Sequence, residues 1–194
     1  MYFISAVNGL TAWVSTLIGN VYKTTNGGNN WVLQDYSHRN FINHLHFFDV
    51  NTGYFVADAV NDTVGFFYTR NGGLNWTRSS KTPVSSSSLF LVENCVNQLD
   101  TNFIWICANL GSNIYKFYKL TGGFEAQWQV LDYRQTGIIR NAVFKDSQNG
   151  LAADLNKIII TTNGGINWSI RNSNVQSGLV IDILFVPNTN WVVL

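Results

Sequence analysis

Thr24 to Trp31 reads TTNGGNNW, and the chain returns to it as TRNGGLNW at Thr69 to Trp76 and TTNGGINW at Thr161 to Trp168. A degraded copy, KLTGGFEAQW, spans Lys119 to Trp128 with two additional residues before its tryptophan. The closing tryptophans Trp31, Trp76, Trp128 and Trp168 stand 45, 52 and 40 residues apart. A period of this length marks repeated supersecondary units, none of which buries its apolar face alone. The octapeptide reads as turn chemistry. Gly27 and Gly28 permit the positive φ that a tight hairpin demands. Asn26 tolerates the left-handed region, and Thr24 offers a hydroxyl for local bonding. Trp31 is expected to begin an outermost strand and to lay a large apolar plate against its own and the neighbouring unit. The same roles fall to Thr69, Asn71, Gly73 and Trp76, to Thr161, Asn163, Gly165 and Trp168, and in the degraded copy to Gly123 and Trp128.

Around each octapeptide lie short runs rich in Val, Ile, Phe, Tyr, Trp and Thr, broken by Asn and Gly, which is strand composition. The first unit gives Tyr2–Val7, Thr11–Leu17, Asn20–Thr25 and Asn30–Gln34. The second gives Ile42–Phe48, Gly53–Ala57, Val64–Thr69 and Asn75–Arg78, and the fourth Ile138–Phe144, Gly150–Ala153, Lys157–Thr162 and Asn167–Ile170. A second echo fixes the register: FFDVNTG at Phe47 to Gly53 matches FKDSQNG at Phe144 to Gly150. No stretch sustains a 3.6-residue apolar period, so almost no helix is predicted. Four antiparallel strands per unit, repeated, predict an all-β chain, a β-propeller of four-stranded blades. Four blades are complete, at about 1–36, 37–80, 81–132 and 133–172, and a fifth, 173–194, is incomplete. The expectation is a fragment of a six- or seven-bladed ring, with open blade edges through which it self-associates.

At the octapeptides the chain resembles the Asp-box (BNR) repeat, S/T-x-D-x-G-x-T-W, and within that group the propellers related to photosystem II assembly factors, which also occur in secreted bacterial proteins. Each complete box here departs in carrying Asn for Asp (Asn26, Asn71, Asn163) and Asn for the Thr before the Trp. The resemblance implies an extracellular or surface-displayed protein, boxes at the periphery, and ligands met at the opposite end by the blade connectors and the loops joining second to third strands. It does not supply a sialidase set: only Glu93 and Glu125 are glutamates, and no Arg-Ile-Pro motif occurs.

The net charge of +1 gives no electrostatic case for nucleic acid or an anionic membrane as partner. No apolar run approaches the roughly 18 residues that span a bilayer, and the first residues, MYFISAVNG, carry no signal-peptide pattern. No cofactor motif is present. Cys95 and Cys107 flank an expected hairpin, as a disulfide in an oxidising compartment or as two thiols in a reducing one. His44 and His46 alternate along an innermost strand and share a face. With His38 as the only other histidine, they are expected to line a channel or lie partly buried, not to hold metal. NDT at Asn61, NWT at Asn75 and NWS at Asn167 match the glycosylation pattern, the last two as by-products of the repeat. Ser79 to Ser88 reads as a flexible connector.

Candidate binding residues are those at the connector end. One connector carries Asp35, Tyr36, His38 and Arg39, and another repeats the theme as Asp132, Tyr133 and Arg134. Asp58 and Asp62 are assigned to one inner loop, Asp154 and Lys157 to another. Tyr, Arg and Asp over a rigid scaffold suit polar recognition of a protein or a glycan. The functional expectation is a non-enzymatic scaffold or recognition module. The alternative is part of a carbohydrate-active enzyme, for which Asp58 and Asp154 are the carboxylates to test.

Overall fold

The computed structural model describes residues 3–35, 41–60, 63–83, 90–109, 115–133, 139–154, 157–171, 183–184 and 192–193. Among these there is no helix. Four antiparallel four-stranded sheets form in chain order. Blade 1 comprises β1 (Ile4–Ala6), β2 (Ala12–Ser15), β3 (Val21–Thr24) and β4 (Val32–Asp35). Blade 2 comprises β5 (Ile42–Phe47), β6 (Gly53–Val60), β7 (Thr63–Thr69) and β8 (Thr77–Arg78). Blade 3 comprises β9 (Phe90–Asp100), β10 (Phe103–Asn109), β11 (Tyr115–Thr121) and β12 (Trp128–Tyr133). Blade 4 comprises β13 (Ile139–Phe144), β14 (Gly150–Asp154), β15 (Lys157–Thr161) and β16 (Ser169–Arg171). β17 (Ile183–Leu184) and β18 (Val192–Val193) pair as the beginning of a fifth. These are β-propeller blades. They fall into two compact units, Met1–Ser87 with blades 1 and 2, and Ser88–Leu194 with the rest.

Local chemistry explains each blade. In the octapeptide turns, the threonine hydroxyl accepts from the second glycine's N–H, at 3.0, 3.0 and 2.9 Å for Thr24, Thr69 and Thr161. The asparagine Oδ1 accepts that hydroxyl and also the N–H four residues on. Both glycines hold positive φ, for example 70° and 92° at Gly72 and Gly73. An amide oxygen suffices for these bonds. The hairpin joining each blade's first two strands closes by a related device. A side-chain oxygen of Asn8, Asp49, Asp100 or Asp146 accepts two backbone N–H groups just ahead of it. The two turns then tie together, because the first box glycine donates to a carbonyl of that hairpin: Gly27 to Leu10, Gly72 to Asn51, Gly122 to Asn102, Gly164 to Gln148.

The Phe…Gly echo has a packing cause. Phe47 pairs directly with Gly53, and Phe144 with Gly150. A Cβ at Gly53 would fall 2.5 Å from the Phe47 ring, and one at Gly150 would fall 2.7 Å from Phe144. Glycine lets each ring lie flat on its blade, where the preceding blade's tryptophan covers it. Trp13 stacks on Phe47 at 3.6 Å and 5°, and Trp105 on Phe144 at 3.9 Å and 8°.

Several boundaries differ from expectation. Trp31, Trp76 and Trp168 precede the outer strands instead of starting them, and only Trp128 begins one. Trp168 meets Phe117 of blade 3 and Phe144 of its own blade, as a shared plate should. Trp31 is 38% exposed. Asp35, Asp132 and Tyr133 close β4 and β12 and do not lie in connectors. Asp58 lies inside β6, which runs on to Val60, so it is a strand residue and not a loop residue. Asp154 and Lys157 are likewise strand ends. Ser79, assigned to a flexible stretch, is buried, and its N–H donates to the Phe66 carbonyl.

Candidate functional site

Antiparallel blades have two ends with different chemistry. At the box end the turns bond to one another, as described, and their threonines Thr24, Thr69 and Thr161 are buried. The same end carries the lock between consecutive blades. The Trp13 indole N–H donates to the Gly72 carbonyl at 3.0 Å, and that of Trp105 to Gly164 at 3.3 Å. Lys23 lies over the Trp13 ring, and Lys119 over Trp105. Lys23 also reaches Gly72 O, and Lys119 reaches Ser147 O. Burial lowers the pKa of both ammonium groups. Between the inner strands, Phe47 N–H donates to Ser5 Oγ and Phe144 N–H to Asn97 Oδ1. This end is fold chemistry.

The connector end is different. In blade 2 the pairing of β5 with β6 is irregular between Ile42 and His44, and in blade 4 that of β13 with β14 is irregular between Ile139 and Asn141. A bulge of this kind re-aims a side chain and is common beside functional sites. Measured from the Phe47 and Phe144 anchors, the residues at the two irregularities correspond: Asn43 and Arg140. Asn43 is buried, and its amide donates to Asp58 Oδ1 at 2.8 Å. Arg140 is exposed. It acts on the Tyr115 hydroxyl together with Asp154. Burial, and after it Cys107, lifts the Tyr115 pKa; Arg140 opposes the rise, whereas Asp154 and Cys95 add to it. Asn109 Nδ2 donates to Tyr115 Oη at 3.3 Å. Asp154 is 2% exposed, and Lys157 at the start of β15 is exposed. Tyr115, Arg140 and Asp154 therefore interact at the connector end of blades 3 and 4, and Lys157 is the register partner of Asp154 across β14 and β15. Of the four, Arg140 and Lys157 are exposed, and two cations suit a ligand bearing carboxylate groups.

Of the residues singled out from sequence, Asp58 and Asp154 thus have defined surroundings, in separate compact units. Tyr133 ends β12. Tyr36, His38, Arg39, Asp62 and Arg134 lie outside the described residues. Tyr115 and Asn109 carry no sequence signal, because each gains its setting from a neighbouring strand or blade, and Arg140 lies in no motif. His44 and His46 do share a face, their rings 6.4 Å apart and 19° from parallel, both near Tyr54 and both half-buried. Burial takes the His46 pKa down to about 4. Among the described residues no third His, Cys, Asp or Glu joins them in a group that could hold a metal ion. No helix of the described residues is long and apolar enough to cross a membrane.

No protein-family model matches the chain, and no curated protein matches it. Solved structures do. The GH74 enzyme of Niastella koreensis is similar with a TM-score of 0.64 at 16% identity, over 84% of this chain and 28% of that one. The GH74 xyloglucanase from Xanthomonas campestris is similar with a TM-score of 0.61 at 10% identity, again over 84% and 28%. YCF48 bound to D1 peptide is similar at 14% identity over 86% of this chain and 64% of that one, with a TM-score of 0.48. The first two likenesses agree with the blades in fold, and at these identities they bear on fold alone. The chain spans less than two thirds of each of these structures.

Proposed function

We propose that this chain is a non-enzymatic recognition and scaffold module, exported or surface-displayed, which meets a protein or glycan ligand at the connector end of its blades. The observation that carries the reading is the recurrent irregularity at that end of the innermost strand, which turns Asn43 of blade 2 inward onto Asp58 and leaves Arg140 of blade 4 exposed. The carboxylates nearby favour binding over hydrolysis. Acid–base work needs a carboxyl group in reach of substrate, whereas Asp58 is engaged by Asn43 and Asp154 is buried. Immobilised polysaccharide and peptide panels test the proposal with wild type and with Arg140→Ala, Lys157→Ala, Arg39→Ala and Tyr133→Ala. One ligand class should be retained by wild type and lost in at least one variant whose circular dichroism melt is unchanged. Turnover of a chromogenic glycoside, abolished by Asp58→Asn or Asp154→Asn, would replace this reading with a hydrolase.

A further inference from the structure

Cys95 and Cys107 lie in adjacent antiparallel strands of blade 3, and the register decides their relation. Trp105 pairs with Asn97 and Ile106 with Val96, and the register then shifts before pairing resumes at Ala108 with Leu91. Cys107 and Cys95 both lie in that irregularity, each next to the Ile106–Val96 pair on its own strand. Adjacent antiparallel strands bring facing residues within the Cα separation a disulfide spans. The two thiols are hydrogen-bonded to one another and are buried at 2% and 0% exposure. They sit in the apolar cluster that joins blade 3 to blade 4, with Tyr115, Phe117, Ile139 and Ala152. Both are free thiols here.

We propose that Cys95 and Cys107 are a disulfide site that closes across β9 and β10 when the chain folds in an oxidising compartment, pinning the inner hairpin of the blade that carries Tyr115. The inference goes beyond the recognition reading and stands or falls independently of it. With glutathione disulfide as oxidant, one cysteine thiolate attacks a glutathione sulfur and expels one glutathione thiolate. The second cysteine thiolate then attacks the cysteine sulfur of the mixed disulfide and expels the other. Two protein thiols become one S–S bond, and one glutathione disulfide becomes two glutathiones, which take up the two cysteine protons. Burial holds the Cys95 pKa well above its ordinary value, so the folded protein has almost no thiolate there and exchange belongs to the folding stage.

The sequence makes the test direct. No Lys or Arg lies between Thr82 and Tyr115, so both cysteines share one tryptic peptide, and Asp100 stands between them. The whole chain is unfolded with denaturant and reductant, then refolded in parallel in reducing buffer and in a glutathione redox buffer. The oxidised sample should weigh two hydrogens less and take up no alkylating agent in denaturant. Cleavage at Asp100 should leave its two cysteine fragments joined until reductant is added. Its Tm should exceed that of the reduced sample by roughly 5–10 °C, as expected for closing a short loop. Two alkyl groups on the sample refolded in redox buffer would overturn the proposal. So would native near-ultraviolet dichroism recovered only in reducing buffer, or an oxidised chain that melts lower.

Discussion

Each tryptophan acts through one hydrogen bond or through none, and substitution should separate the two cases. Trp13 stacks on Phe47 and donates its N–H to Gly72 O. Trp76 also packs on Phe47, edge-on, but its indole nitrogen is buried with no hydrogen-bond partner among the described residues. Trp→Phe removes apolar area at both positions and a bond at only one. Trp13→Phe should therefore cost about 1 kcal/mol more than Trp76→Phe in urea unfolding. Gly72 is constrained twice, by a φ of +70° and by Lys23 Nζ and Val50 O, each 2.7 Å from where a Cβ would stand. Gly28 has a φ of +90° but meets only the Trp31 ring, at 3.8 Å. Gly72→Ala should thus destabilise by roughly 2–3 kcal/mol and Gly28→Ala by about 1, read from the same urea midpoints.

At the scale of the element, β5 carries a pH response. In the folded protein His46 takes a proton only near pH 4, because it is buried against Phe48 and Tyr54 beside His44. In the unfolded chain it does so near its ordinary 6.5. The folded pKa is the lower one, so the stability due to neutral His46 is complete above about pH 6.5 and is lost as pH falls towards 4. Unfolding free energy measured from pH 7 to 4 should fall in wild type and fall less steeply in His46→Gln. Elements also show what sequence can and cannot reveal. The box turns are readable because Thr, Asn and two glycines within five residues make most of their turn bonds locally. Strand ends were not. β6 extends past Ala57 to Val60, and β9 to eleven residues, because their limits are set by the partner strand across the ladder. Asp58 was therefore read as a loop residue.

At the scale of the whole molecule, each compact unit contains the same lock between two successive blades. Trp13 and Trp105 are 92 residues apart, and so are their acceptors Gly72 and Gly164. The phenylalanines that receive those rings belong to blades 2 and 4, whereas blade 1 has Ala6 where blade 2 has Phe47. The boundary between compact units falls between blades 2 and 3, so each unit holds one such lock. A single-blade period was visible in the octapeptides, but the alternation was not, since each lock joins residues 59 apart. Asp154 and Lys157 of the candidate site are legible in the sequence, but their setting is not, for the same reason. Tyr115, Asp154 and Arg140 share no motif and meet only when blade 4 packs on blade 3.

The proposal that recognition belongs to the connector end, with fold chemistry at the box end, separates two sets of variants. Its most direct test is titration of whichever panel ligand wild type retains against two variants of one unit: Arg140→Ala/Lys157→Ala at the connector end, and Lys145→Ala, an exposed residue of the β13–β14 hairpin, at the box end. Affinity should fall at least tenfold for the first and stay unchanged for the second. Loss at Lys145 with full binding retained by the double variant would contradict it.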